Sequence, residues 1–195
     1  MQPHVIDLRQ SDDARDVVHR AVQALAEGRA VGFPTETDYV IAAAARHPAA
    51  IERLIPLVAQ RPGEPLLSLG VKSVAEALDW APRLSPLGQR IARRCWPGPV
   101  AIVVPDDHPE SLVHRLAAVA RRGLAGEGHL RLRVPGHPML GDCMRMLAGP
   151  VVLAEPGSAE QPPAVTAEDL IERSHVGLDL VIDDGRARYA QPVSV

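Results

Sequence analysis

Four short stretches of this 195-residue chain combine proline with side chains that can bind anions or form hydrogen bonds. They are PTETDY at 34–39, QRP at 60–62, WPGP at 96–99 and RVPGHP at 133–138. Threonine hydroxyls can align a substrate, and the guanidinium groups of Arg61 and Arg133 can bind carboxylate or phosphate. Each stretch also has a plainer interpretation: the first as a strand-ending turn and the third as a helix stop followed by a turn. For the second and fourth stretches, the plainer interpretation is that Arg61 and Arg133 are surface ion-pair partners.

The elements around these stretches alternate between strand and helix patterns, which predicts one α/β (or α+β) domain over residues 1–195. Apolar runs predict strands over 30–33, 66–71, 100–104, 129–134, 151–154 and 178–182. Helical spacing predicts a helix capped by Ser11 and stopped by Gly28, one over 51–58 shortened by Pro56, and others over 73–80, 85–96, 111–122, 139–147 and 166–173. Residues 155–165 form a predicted surface loop.

Composition excludes several classes of protein. The chain is 46% hydrophobic and has a net charge of −3, which excludes a disordered chain and a globally basic nucleic-acid binder. Lys and Arg number 21 and only Lys72 is lysine, so a mechanism that needs lysine has one candidate. Two cysteines and eight histidines without ligand spacing predict no metal site. The polar start and the lack of a long apolar run predict a cytoplasmic protein without membrane association.

Taken together and in this order, the four stretches resemble the YrdC-like family of threonylcarbamoyl-AMP synthases and YrdC-type translation factors. The resemblance runs from residue 20 to the C-terminus and includes similar turns at 166–168 and 183–185. It implies a twisted mixed β-sheet with flanking helices around a central cavity. It also implies a nucleotidyltransferase-like reaction, in which ATP with Mg²⁺, L-threonine and bicarbonate give threonylcarbamoyl-AMP and pyrophosphate for tRNA modification. No tightly bound metal or organic cofactor is implied, and several members bind tRNA or double-stranded RNA.

The resemblance assigns roles to three residues. Thr35 matches the hydroxyl that contacts threonine, and Arg61 matches the arginine of a lysine-x-arginine motif that faces the phosphates. Arg133 matches the arginine that anchors the amino-acid substrate. The weaker candidates are Tyr39, His129, Glu155 and Ser194.

This chain departs from the family pattern at several of the same positions. Ala59 replaces the expected lysine, and Glu64 replaces the expected basic residue. Glu155 and Gly157 replace the expected serine and asparagine. Pro192 stands where a terminal hydroxyl is expected, and His129 stands where a threonine is expected. Each lost charged contact, or each new carboxylate near a nucleotide, costs about 1–3 kcal/mol of binding. We therefore expect the YrdC-like fold with a synthase reaction that is weakened, altered or lost.

Three functions remain open from the sequence. The first is a diverged synthase, and the second is a non-catalytic RNA-binding or regulatory protein, for which Arg90, Arg93 and Arg94 form a basic helix face. The third is a structural subunit that pairs with another protein of the modification pathway. Glu155 is interpreted first as a solvated loop carboxylate, and a catalytic base is not identified.

Overall fold

The computed structural model describes residues 2–58, 67–125, 128–157, 161–174 and 177–195. Within these ranges the strands are β1 (His4–Asp7), β2 (Val31–Pro34), β3 (Tyr39–Ala44), β4 (Ser68–Gly70), β5 (Ala101–Pro105), β6 (His129–Arg133), β7 (Val151–Ala154) and β8 (Leu180–Asp183). The helices are α1 (Ala14–Ala26), α2 (Pro48–Leu54), α3 (Val74–Trp80), α4 (Pro86–Cys95), α5 (Ala118–Leu124), α6 (Pro138–Met146) and α7 (Ala167–Arg173). None of these helices is long and apolar enough to cross a membrane.

The strands form one mixed sheet in the order β1-β8-β2-β3-β7-β4-β6-β5. Parallel pairing joins β1 to β8, β8 to β2 and β4 to β6. Antiparallel pairing joins β2 to β3, β3 to β7, β7 to β4 and β6 to β5. The predicted mixed sheet with flanking helices is therefore confirmed.

Successive side chains of a strand point to opposite faces of the sheet, and β6 shows the consequence clearly. Leu130 and Leu132 pack into the larger hydrophobic core, which also contains buried residues of α2, α3, α5 and α7. A second core, on the other face, packs α1 and α6 against β2, β3, β7 and β8. Because Arg131 and Arg133 alternate with the two leucines, both arginines belong to this second face of the sheet.

Most helix ends follow the predicted signals. Ser73, Ser85 and Thr166 cap α3, α4 and α7 through their hydroxyls, and Thr166 forms a full capping box with Asp169. Pro56 has the predicted shortening effect, because α2 ends at Leu54 and a 3-10 turn follows.

Three predictions about local structure were wrong or incomplete. Asp13 rather than Ser11 caps α1, and its carboxylate accepts from the Arg15 N–H. The helix predicted over 111–122 is divided into a 3-10 turn at Leu112–Arg115 and α5, because the backbone is extended at Leu116 and Ala117. Strands β1 and β3 were not predicted. The sequence of β3, YVIAAA, is buried on both faces and so lacks the alternation that marks a half-exposed strand.

Candidate functional site

The turn between β2 and β3 directs its hydroxyl groups inward. The Thr35 N–H donates to the Asp38 carbonyl at 2.7 Å, and the Thr35 hydroxyl accepts from the backbone N–H groups of Thr37 and Asp38, each at 3.2 Å. Threonine favours such turns because its hydroxyl satisfies nearby backbone donors. The predicted strand-ending turn is confirmed. Its Thr35, Thr37 and Asp38 side chains are buried, so they face the interior of the protein.

Arg133, the last residue of β6, extends its guanidinium to this turn. Its Nη2 lies within hydrogen-bonding distance of Thr35 Oγ1 (3.0 Å), Thr37 Oγ1 (2.9 Å) and Glu36 Oε1 (3.1 Å). Its Nη1 lies 3.6 Å from Asp38 Oδ1 in an ion pair. Arg133 is 1% exposed, so its interpretation as a surface ion-pair partner is wrong. The stability of a buried charge of this kind depends on its protein partners, because water does not solvate it.

Glu36 connects the turn to the stretch that follows β6. One of its carboxylate oxygens binds Arg133, and the other accepts from the Gly136 N–H at 2.8 Å. The space beside Gly136 is small, since a Cβ built there would lie 3.3 Å from Glu36 Oε2. The first and fourth stretches of the sequence are thus brought together by direct hydrogen bonds.

A second buried arginine lies beside the first on the same face of β6. Arg131 Nη2 forms an ion pair with Glu155 Oε1 at 3.1 Å, and the two side chains are 6% and 24% exposed. Ser68 of β4 pairs with Arg131 on one side and Leu153 on the other, so Arg131 extends across β4 to the segment after β7. Glu155 is therefore a partly exposed loop carboxylate that is paired with Arg131.

Asp38 is a buried acid of this cluster with a perturbed pKa. Its Oδ1 accepts from the Thr35 and Thr37 hydroxyls at 2.7 Å each. Burial, and then the negative charge of Glu155, raise the pKa of Asp38 to about 6, although Arg133 and the two hydroxyls oppose the shift. The cluster thus contains two guanidinium groups and three carboxylates, one of which is protonated far more easily than an ordinary aspartate.

Three guanidinium donors of the cluster lack an acceptor among the described residues. They are Arg131 Nε, Arg133 Nε and Arg133 Nη1, all of them buried. An unsatisfied buried donor costs about 1–3 kcal/mol, so such groups are uncommon unless a bound molecule supplies the acceptor. Their chemistry fits a carboxylate or another anion.

Tyr39 does not contact this cluster through its hydroxyl. The Tyr39 hydroxyl donates to the Gly185 carbonyl at 2.5 Å and accepts from the Asp184 N–H at 3.0 Å. Asp183 Oδ1 lies 3.2 Å away, and burial raises the pKa of the phenol well above its usual range. These contacts fix the turn after β8, so a role of Tyr39 in ligand binding stays a prediction.

The structure places the remaining candidates apart from one another. His129 begins β6, four residues before Arg133, and pairs with Pro105 of β5. Ser194 has an exposed side chain, and its backbone pairs with Pro99 and Ala101. Because Ala101 also pairs with Arg133, the C-terminal segment lies one strand beyond that arginine. Arg61, Ala59 and Glu64 lie outside the described residues.

The WPGP stretch completes the end of β6. Helix α4 ends at Cys95, and the Gly98 N–H donates to the Val134 carbonyl at 2.9 Å. The indole of Trp96 is buried and donates to the Val100 carbonyl at 2.6 Å. The predicted helix stop and turn is confirmed, and its backbone supports the strand end that carries Arg133.

A cavity of about 260 Å³ borders the turn. Its walls include Thr35, Glu36 and the pair of His137 and Asp184, whose side chains are 3.1 Å apart. Within the described ranges, no group of three or more histidine, cysteine or acidic side chains is arranged to hold a metal ion.

Sequence reasoning missed Thr37, Asp38 and Arg131. The signal for Arg131 was present, because HLRLR in a predicted strand places both arginines on the face opposite the leucines. Asp38 carried no comparable signal, since its importance comes from Arg133, almost a hundred residues away along the chain.

Comparison with known proteins gives the family. The family model described as Telomere recombination, which covers Sua5, YciO and YrdC proteins, matches residues 23–195. The chain belongs to this Sua5/YciO/YrdC family. It is 29% identical over 185 residues to the threonylcarbamoyl-AMP synthase of Chromohalobacter salexigens, covering 94% of this chain and 93% of that protein. It is 28% identical to the threonylcarbamoyl-AMP synthase of Xanthomonas axonopodis pv. citri, covering 90% of each.

Solved structures of the Sua5/YciO/YrdC family share the fold. The structure of P. abyssi Sua5 complexed with L-threonine superposes with a TM-score of 0.74 at 22% identity. That match covers 96% of this chain and 52% of Sua5, so the chain spans about half of that protein. E. coli YciO superposes with a TM-score of 0.73 at 18% identity, covering 95% of this chain and 84% of YciO.

Proposed function

We propose that this protein is a diverged synthase of the threonylcarbamoyl-AMP type, which binds L-threonine or a related amino acid at Arg133. The observation that carries the proposal is the buried Arg133 guanidinium, aimed at a threonine-rich turn, with two donor nitrogens for which no described residue supplies an acceptor. The names of the relatives and the L-threonine complex of P. abyssi Sua5 support the choice of substrate.

In the proposed reaction the chain acts mainly by positioning its substrates. Arg133 binds the carboxylate of the amino acid, and the Thr35 hydroxyl aligns it. The amino group reacts with bicarbonate to form a carbamate and water. A carbamate oxygen then attacks the α-phosphorus of Mg²⁺-bound ATP, and pyrophosphate leaves. Arg61 is assigned to the phosphates by the family resemblance.

The charge of the site is the reason to expect a weakened reaction. Glu155 places a carboxylate where the family has a serine, and it neutralises Arg131. An anionic nucleotide near this pair gains less attraction than it would from an unpaired guanidinium. We expect turnover below that of a synthase that retains the lysine and the serine-asparagine pair.

The test is release of pyrophosphate from ATP in the presence of Mg²⁺, bicarbonate and L-threonine, with L-threonine omitted as the control. Threonine-dependent release that is lost in Arg133→Met supports the proposal. Arg93→Met removes an exposed arginine of α4 and is the matched control, which should retain the activity. Absence of threonine-dependent release at high protein concentration would contradict the proposal.

A second candidate function is binding of tRNA or double-stranded RNA. It is favoured by Arg90, Arg93 and Arg94 of α4, which are exposed and, within the described residues, form no ion pair. Phosphate contacts of this kind weaken steeply as salt rises. Binding that is independent of ATP and falls sharply between 50 and 200 mM salt, and that is lost on replacing all three arginines by glutamine, would establish this function. Equal binding by the triple variant would exclude this helix face.

A further inference from the structure

Asp38 presents a carboxylate to the same Thr35 hydroxyl and Arg133 guanidinium that are proposed above to bind a substrate carboxylate. Its Oδ1 accepts from the Thr35 and Thr37 hydroxyls at 2.7 Å each and lies 3.6 Å from Arg133 Nη1. The Thr35 hydroxyl therefore already donates to a carboxylate of the chain itself, and the Arg133 guanidinium already faces that carboxylate in an ion pair. With 3% exposure, Asp38 leaves its contacts only when another group replaces them.

We propose that Asp38 determines ligand specificity, as an internal carboxylate that a substrate carboxylate must displace or can join only together with a proton. This inference rests on the proposed function, because it concerns the same Arg133 site. It adds a condition to that function: the site takes up a proton when it binds the carboxylate of an amino acid.

The balance of charges around Asp38 gives the reason. Arg131 is paired with Glu155, and Arg133 is paired with Glu36. Asp38 is then the carboxylate in excess, and a substrate carboxylate adds a second excess negative charge. Two carboxylates in one buried site cannot both remain ionised without a large cost, so one of them binds a proton.

The cost of taking up this proton can be measured as a change in the affinity for L-threonine. Asp38 has a pKa of about 6, raised by burial and then by Glu155. Protonating it at pH 7 therefore weakens ligand binding about tenfold, and at pH 8 about a hundredfold. In the wild type we expect the dissociation constant for L-threonine to rise about tenfold per pH unit above pH 6.

The variant Asp38→Asn retains the shape of the side chain and an oxygen that can accept from the threonine hydroxyls, but it removes the charge. Its dissociation constant for L-threonine should be nearly independent of pH between 6 and 8, and about a hundredfold lower than that of the wild type at pH 8. Asp79→Asn is the matched control, since Asp79 is an exposed acid on α3 and its replacement changes the net charge equally.

The experiment is calorimetric titration of the full chain with L-threonine at pH 6, 7 and 8. A steep pH dependence in the wild type and in Asp79→Asn, absent from Asp38→Asn, supports the inference. Glu155→Gln provides a second variant in case Asp38→Asn does not fold. Removing that negative charge frees Arg131 to balance a second carboxylate, so the affinity should depend less steeply on pH than in the wild type.

The outcomes separate the two proposals. Binding of L-threonine with the same affinity at all three pH values in the wild type overturns the role of Asp38 and leaves the proposed function intact. Normal pH-dependent binding without threonine-dependent pyrophosphate release contradicts the synthase and supports the specificity role. Absence of binding in every folded variant at pH 6 overturns both.

Discussion

The arginines of β6 and those of α4 show how differently the same side chain behaves in two parts of one protein. Arg131 and Arg133 are buried in a strand, each against carboxylates, whereas Arg90, Arg93 and Arg94 are exposed on a helix. A buried guanidinium has lost its water, so its energy depends on a few named partners. An exposed guanidinium retains its water, contributes little singly and acts through the sum of many charges.

The largest effect should come from Arg133→Met. This change leaves Glu36 and Asp38 without their cation, and removing one partner of a buried ion pair costs about 3–5 kcal/mol of folding free energy. Urea unfolding at pH 7 measures the loss. Arg93→Met, the matched change on α4, should remain within about 0.5 kcal/mol of the wild type. Equal losses in the two variants would abolish the distinction between buried and exposed arginines.

The pair of Arg131 and Glu155 is an intermediate case between buried and exposed arginines, because Arg131 is buried and Glu155 is partly exposed. Arg131→Met alone should cost about 2 kcal/mol, less than Arg133→Met, since water reaches the remaining carboxylate. Combining it with Glu155→Leu should recover most of the loss, because no unpaired charge remains. A double-mutant cycle by urea unfolding measures the coupling, and strictly additive costs would show that the pair does not interact in solution.

Ionisation of Asp38 should lower the free energy of unfolding as pH rises from 4 to 6. Its pKa is about 6 in the folded protein, above its usual 3.8, so the folded state binds more protons than the unfolded state in this range. The loss is on the order of 2 kcal/mol and is complete above pH 6. The difference in unfolding free energy between Asp38→Asn and the wild type should therefore grow from pH 4 to pH 6.5. Parallel pH profiles would mean that Asp38 titrates as an ordinary aspartate.

The smallest effect should come from Arg94→Gln on α4. Arg94 is exposed and lies in the last turn of the helix, where a cation gains about 0.3–1 kcal/mol from the helix dipole. Thermal unfolding in low and high salt measures this contribution, which should shrink as salt rises. A loss above 2 kcal/mol would mean that α4 carries a buried contact.

Local signals predicted much of the fold. The hydroxyl caps of α3, α4 and α7 and the effect of Pro56 depend on neighbours in sequence, so they could be inferred directly. The buried strand β3 could not, because its alanine-rich sequence favours a strand only through its pairing with β2 and β7.

The site was predicted less completely than the fold. Thr35 and Arg133 were both named as candidates, and the structure places their side chains 3.0 Å apart. The part played by Asp38 depends on contacts between residues 95 positions apart and on burial, neither of which a local pattern encodes. The pairing of Glu155 with Arg131 could not be predicted for the same reason, since Arg131 lies on another strand.

The most direct test of the central claim is a crystal structure of the protein grown or soaked with L-threonine at pH 6. The account predicts the amino-acid carboxylate within hydrogen-bonding distance of the Arg133 guanidinium, with Asp38 displaced from Nη1 or sharing the site. L-threonine bound elsewhere, with Arg133 still enclosed by Glu36 and Asp38, would contradict it.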